Sequence, residues 1–325
     1  MHHFADMAQW QGRIDAEEGL LGRRWHQVMR PVAAVDAPAV ALIGFACDAG
    51  VARNHGRSGA CDGPASLRAQ LANQPVRDDT VLADAGDVRC IAGIESDGLE
   101  AAQRCLSHEV AALLAQAHRP IVLGGGHEMA WGSFGGMAQA LSANAATAAA
   151  APRIGIINLD AHFDLRTGAV ATSGTPFRQI AEDCLARGWS FNYCCLGVSH
   201  FANTLALFER AEALGTTWLA DEQMTPAHAA HIAATLHDFM ARVDHLYLTI
   251  CLDVLPAAVA PGVSAPAARG VELAVIEPII DLVAASGKLR LADIAELNPR
   301  FDIDNRTARV GARLVARLAH AWSAA

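Results

Sequence analysis

Continuous apolar, β-branched runs recur along the chain, and stretches of helical pattern separate them. VALIGFA (40–46), PIVLGG (120–125), IGIINLD (154–160), YCCLGVS (193–199), HLYLTICLD (245–253) and LRLADIAEL (289–297) read as strands. Helical patterns lie near 64–73, 98–118, 128–141, 203–214, 225–242, 270–286 and 306–322. A strand that is apolar on both faces needs cover on both, and helices between parallel strands supply it. The expected architecture is therefore α/β, a parallel sheet with helices on each side. No internal repeat and no linker divide the 325 residues, so one domain is expected over 1–325. SANAATAAAAP (142–152) reads as a loose connector between a helix and the next strand.

Composition narrows the partners. Hydrophobic residues make up 52% of the chain and charged residues 18%, enough for a core covered on two sides. A net charge of −9 argues against nucleic acid or an anionic membrane as partner. No run reaches the roughly 18 apolar residues of a membrane span. The start, MHHFADMAQWQGRIDAEEG, has neither the basic flank nor the apolar centre of a signal peptide. A soluble, cytoplasmic protein acting on a small molecule is expected. The 8 cysteines form no CxxC pair, and most sit in apolar stretches where a reduced thiol serves as a small hydrophobe.

Polar residues cluster where the strands end. HE follows PIVLGGG, AHFD follows IINLD, CLD closes HLYLTI, and ELNP closes LRLADIA. Open parallel sheets bind ligands at the carboxyl ends of their strands, so these clusters imply one site. DAHFD supplies Asp160, His162 and Asp164 at alternating positions, GGGHE supplies His127, and the CLD run supplies Asp253. Imidazoles and carboxylates in this mix suit Mn²⁺, and Zn²⁺ and Fe²⁺ accept them too. Ligands this numerous could hold two ions, which together lower the pKa of a water between them and support hydrolysis. The glycines before His127 are not a phosphate loop, because no GK[ST] follows. Cys251 stands two residues before Asp253, on the same face of an extended segment.

GGGHE, DAHFD, LTICLDVLPAAVAPG and AELNP occur in an order and spacing that resembles the ureohydrolases, the family of arginase and agmatinase. NHGRSGACDGPASLR (54–68) and DAGDV (84–88) extend the resemblance over nearly the whole chain. WQGRID, RRWHQVM, DAHFDLR, TSGTPFRQI and RGWSFNYCCLGVSHFANT look like its formimidoylglutamase branch. The resemblance implies a three-layer α/β/α fold with a doubly wound parallel sheet, a binuclear Mn²⁺ centre, and a homotrimer or homohexamer. It implies one ion held by His127, Asp160 and Asp164 and another by Asp160, His162 and Asp253. Cys251 falls where the family has a bridging aspartate, which puts the second ion in doubt. Phe177 falls near the histidine that arginases use to shuttle protons.

The implied reaction is hydrolysis of N-formimidoyl-L-glutamate to L-glutamate and formamide in histidine degradation, with Asp164 as acid for the leaving nitrogen and Glu296 pairing with the cationic formimidoyl group. The rival within the family is hydrolysis of a guanidino acid. Two substrate carboxylates require cations, and with Lys288 the single lysine, arginine must supply them. Arg57, Arg166 and Arg178 are the candidates, with Asn54, Ser173 and Thr175 orienting the α-carboxylate. Three readings of Cys251 stay open: a thiolate ligand favouring softer ions, a bystander, or the mark of a non-catalytic relative. Residues 1–35 are expected as an extension packed on the domain, with Trp10, Trp25 and His26 against a neighbouring subunit or over the site.

Overall fold

A computed structural model describes residues 1–93, 96–145 and 151–323. The strands are β1 (His2–His3), β2 (Arg30–Pro31), β3 (Val40–Ala46), β4 (Leu82–Arg89), β5 (Arg119–Gly124), β6 (Ile154–Leu159), β7 (Asn192–Val198), β8 (Thr217–Ala220), β9 (His245–Cys251) and β10 (Leu289–Ala295). They form a 10-stranded sheet in the order β1-β4-β3-β5-β10-β9-β6-β7-β8, with β2 added beside β4. Only the β1–β4 pair is antiparallel among these pairings. The chain winds outward from β3 to β4 and then crosses to β5. It winds outward again from β6 to β8 before returning to β9. Both reversals border the central group β5-β10-β9-β6, where a doubly wound sheet opens a crevice.

Side chains alternate across this sheet, and both faces are apolar. Val40 and Leu42 of β3 and Leu246, Leu248 and Ile250 of β9 join one buried cluster. Ala41, Ile43, Phe45 and Tyr247 join the other. Helices Gly63–Leu71, Ala229–Ala241, Leu273–Ala285 and Arg306–Ser323 pack on the first face, and Leu99–Ala115, Met129–Ala145, Pro176–Arg187 and Leu205–Ala213 on the second. The three-layer α/β/α expectation holds.

Several details differ from the sequence reading. The helix expected to stop at 141 runs to Ala145, so part of the supposed connector is helical, while residues 146–150 lie outside the described residues. The helix Pro176–Arg187 was not anticipated, although Pro176 at its first turn and Gly188 at φ 69° punctuate it. β4 was missed because its interior carries Asp84 and Asp87. Arg68, 1% exposed, neutralises both: Nε lies 2.8 Å from Asp84 and Nη1 2.6 Å from Asp87. β9 stops at Cys251, and Asp253 sits in a 3₁₀ turn (Leu252–Val254) instead of on an extended strand.

The N-terminal tryptophans pack on the chain itself. Trp10 donates Nε1–H to Asp84 at 2.7 Å, and Trp25, 5% exposed, joins the first core. His26 meets the Ala72 carbonyl through Nδ1 at 2.9 Å.

Candidate metal centre

Each central strand delivers one polar group to the carboxyl edge of the sheet. His127 follows β5, Asp160 follows β6, Cys251 ends β9, and Glu296 follows β10. These strands are neighbours in the sheet, so residues distant in sequence converge. Tight loop geometry completes the convergence. Asp164 at φ 48° and Glu296 at φ 71° hold a left-handed backbone that non-glycine residues seldom adopt. Gly125 closes the β5 loop where a Cβ would stand 2.4 Å from the Cys47 and Phe45 carbonyls.

His127 Nδ1 lies 2.9 Å from Asp160 Oδ2 and 3.0 Å from Asp164 Oδ2. It makes an aligned hydrogen bond with neither. The three atoms therefore face a common point more than they face one another. The other ring nitrogen, Nε2, meets Thr249 Oγ1 at 2.9 Å, a contact that fixes the ring and leaves Nδ1 for a ligand. His162 Nδ1 lies 3.1 Å from Asp253 Oδ2 and 3.5 Å from Asp160 Oδ1. Asp160 joins both halves and is steadied by Asn158 Nδ2 at 3.1 Å and the His162 backbone N–H at 2.7 Å.

Two ligand triads emerge. His127, Asp160 and Cys251 offer atoms within 4.8 Å of one another, and so do Asp160, His162 and Asp253. Cys251 is thus inside the first triad and 1% exposed. The donor set fits divalent ions: two imidazoles, carboxylates and a thiol, with the Asp253 Oδ1 and Glu296 Oε2 oxygens buried without partners.

The charge balance without ions is uneasy. Burial opposes charge on His127, but the Asp160 and Asp164 carboxylates outweigh it and raise the imidazole well above its ordinary range. Burial likewise opposes a cationic His162, and Asp253 and Asp160 overcome it. Burial would raise Asp160, yet the two histidines beside it hold it low. Burial and the Asp160 charge lift Asp164 to about 6. Burial, then Asp253, lifts Glu296 to about 8. Burial and the surrounding carboxylates, Asp160 first, push the Cys251 thiol up. A cluster this acidic and this dry calls for cations.

The remaining sequence candidates separate into free and committed groups. Arg166 is exposed, and its guanidinium has no partner among the described residues. Its side chain and that of Asn54 flank Gly174, where a Cβ would meet Arg166 Cδ at 2.7 Å and Asn54 Nδ2 at 3.3 Å. Asn54 donates to Ser173 Oγ at 3.2 Å, which brings Ser173 into the same group. Arg178 instead donates to the Arg166 carbonyl at 2.8 Å and to Glu182 at 2.6 Å. Arg57 donates to the Val263 and Ser264 carbonyls and lies 4.2 Å over the Phe301 ring. Thr175 Oγ1 caps its own turn, bonding Thr172 and Gln179. Phe177 stands edge-on to His127 at 5.3 Å and stacks on Tyr193 at 4.6 Å, walling the imidazole.

Two functional supports escaped the sequence reading. Glu128, fully buried, accepts the Gly50 N–H at 2.8 Å and so ties the β5 loop to the segment bearing Asn54. Arg53 grips Asp97 at 2.7 Å and Glu100 at 2.6 Å while donating to the Ala171 carbonyl at 2.9 Å, two residues before Ser173. The carboxylate in GGGHE was a visible signal for the first, whereas nothing local marks the second.

The family model of the arginase family matches residues 38–320. The chain belongs to the arginase family. It is similar over its full length to formimidoylglutamases. One from Ralstonia nicotianae is 63% identical, covering 98% of this chain and 96% of its own. Another from Aeromonas hydrophila is 56% identical, covering 96% and 97%. Among solved folds, a Trypanosoma cruzi formiminoglutamase variant with Mn²⁺ superposes with a TM-score of 0.78 at 24% identity, covering 93% of this chain and 98% of that one. The Bacillus subtilis formimidoylglutamase superposes at 0.77 and 20% identity, covering 93% and 92%. These distant likenesses establish the arginase-family fold of this chain.

Proposed function

We propose that this arginase-family chain hydrolyses N-formimidoyl-L-glutamate to L-glutamate and formamide, a reaction of histidine degradation. The observation that carries the reading is a match of polarity between site and substrate. Among the described residues Glu296 offers a buried carboxylate oxygen without a hydrogen-bond partner, and Arg166, two residues beyond Asp164, an exposed guanidinium without one. The substrate is cationic at its formimidoyl end and anionic at its glutamate end. Full-length relatives bearing the formimidoylglutamase name support the same choice.

In this reading the centre would take two Mn²⁺ ions. His127, Asp160 and Cys251, with Asp164 beside His127, would hold one ion; Asp160, His162 and Asp253 would hold the other. Bound there, the ions supply the Lewis acidity that activates water near neutral pH. The chain's own residues do the rest. Glu296 receives the formimidoyl cation through Oε2 while its Oε1 stays on the His127 N–H at 2.9 Å. Asp164 delivers a proton from Oδ2 to the departing glutamate nitrogen. Arg166 pairs with a substrate carboxylate, with Asn54 and Ser173 completing the contact. Arg178 and Thr175 act by positioning: Arg178 holds the Arg166 carbonyl and Thr175 shapes the turn after Ser173. Arg57 fixes the 263–264 segment.

Among the described residues no helix is long and apolar enough to cross a membrane. We place the enzyme in the cytoplasm as one ureohydrolase domain over 1–325, with residues 1–35 as its packed extension. A homotrimer or homohexamer is supported by apolar surface such as Phe201 and Leu205, 95% and 81% exposed. Specificity constants for formimidoylglutamate, arginine, agmatine and guanidinobutyrate test the assignment. Formimidoylglutamate should lead by orders of magnitude, and preference for any guanidino compound would overturn it.

A further inference from the structure

Cys47 and Cys90 stand one residue beyond the last paired positions of neighbouring strands. Ala46 of β3 pairs with Arg89 of β4, and the Cys90 N–H donates to the Ala46 carbonyl at 3.2 Å. Both side chains lie on the second face of the sheet, Cys47 inside its buried cluster and Cys90 packed against it, and Cys90 Sγ donates to the Asp97 carbonyl at 3.0 Å. Cys47 is 1% exposed, whereas Cys90 is half-buried and open to small solutes. The other adjacent pair is unsuited to this chemistry, because Cys194 and Cys195 point to opposite faces of β7.

Both thiols connect to the site through its supports. The Cys47 carbonyl accepts the Gly126 N–H at 3.0 Å, immediately before His127. Asp97 pairs with Arg53, which holds the Ala171 carbonyl near Ser173. A bond between these sulfurs would act on the β5 loop at one end and on the Arg53 clamp at the other.

We propose that Cys47 and Cys90 form a redox modification site, in which a hydroperoxide oxidises the pair to a disulfide and slows the enzyme reversibly. Cys90 sulfur attacks the hydroperoxide oxygen, giving a sulfenic acid and releasing an alcohol, or water from hydrogen peroxide. Cys47 sulfur then displaces the sulfenic hydroxyl, which leaves as water with the Cys47 proton. The pair loses two hydrogens, and the peroxide O–O bond takes up the electrons. Closure draws the sulfurs to roughly 2.05 Å and removes the Cys90 donor from Asp97, shifting the carbonyl that anchors Gly126. A dithiol reverses the step by exchange.

The test treats the full-length, Mn²⁺-loaded protein with hydrogen peroxide, alkylates free thiols, and maps peptides without reduction. The expected result is a peptide joining Cys47 to Cys90, a several-fold fall in hydrolysis rate, and recovery of both with dithiothreitol. Cys90→Ser, given the same treatment, should keep its rate. Both cysteines alkylated after treatment, a linked pair with unchanged rate, or equal loss in Cys90→Ser would each overturn the proposal. The rate arm rests on the substrate reading and the peptide map does not, so failure of one is distinguishable from failure of the other.

Discussion

At the residue scale the decisive position is Cys251. Its Sγ shares a triad with His127 and Asp160, so the thiol stands as a donor atom among the candidate ligands. A ligating thiolate leaves a spectroscopic mark that a bystander does not. Protein loaded with Co²⁺ should show a near-ultraviolet sulfur-to-metal charge-transfer band, absent from Cys251→Asp, and equal spectra would place the thiol outside the centre. Arg166 carries a different prediction. Hydrogen bonds to charged groups are worth about 1.5–3 kcal/mol, so Arg166→Ala should raise KM for formimidoylglutamate roughly 10- to 100-fold with kcat little changed. Arg178→Ala should act more weakly, because its guanidinium holds a carbonyl and Glu182. Sequence alone named these arginines together. Their separation into free and committed groups depends on Glu182 and Phe301 lying beside them, contacts that appear only once the chain is folded.

At the element scale, strands β5, β6, β9 and β10 and the polar clusters behind them were legible because buried parallel strands are uniformly apolar and their loops are not. β4 was illegible for the complementary reason: its aspartates are masked by Arg68, which comes from a helix 16 residues earlier than Asp84. Removing one partner of a buried ion pair leaves the other uncompensated. Arg68→Ala should therefore cost roughly 3–5 kcal/mol in chemical denaturation, without altering the metal stoichiometry of the folded fraction. A loss below about 1 kcal/mol, the range of exposed pairs, would show that β4 does not depend on this contact. The 3₁₀ turn after β9 was also hidden, since CLD reads as strand until Asp253 turns to meet His162.

At the scale of the whole molecule, the site stores electrostatic tension that pH and metal should release. Glu128 and Glu296 are each lifted to about 8 from an ordinary 4.5, burial being the main cause. Between those values the folded chain keeps their protons and the unfolded chain gives them up, so stability falls as pH rises through the window. The raised His127 and His162 act in the same direction, because the folded state holds their protons longer. Metal-free protein should therefore lose resistance to denaturant from about pH 5 to about pH 8, and Glu128→Gln should flatten that decline. Binding of divalent ions to the folded state alone should raise Tm, with chelation reversing the gain.

The most direct measurement is steady-state formamide release from N-formimidoyl-L-glutamate by the Mn²⁺-reconstituted chain, with Cys251→Asp measured beside it. Turnover by the parent, abolished by chelation and comparable to that of the variant, is the predicted result. Silence from both proteins, folded and metal-loaded, would contradict the assignment of this substrate to this site.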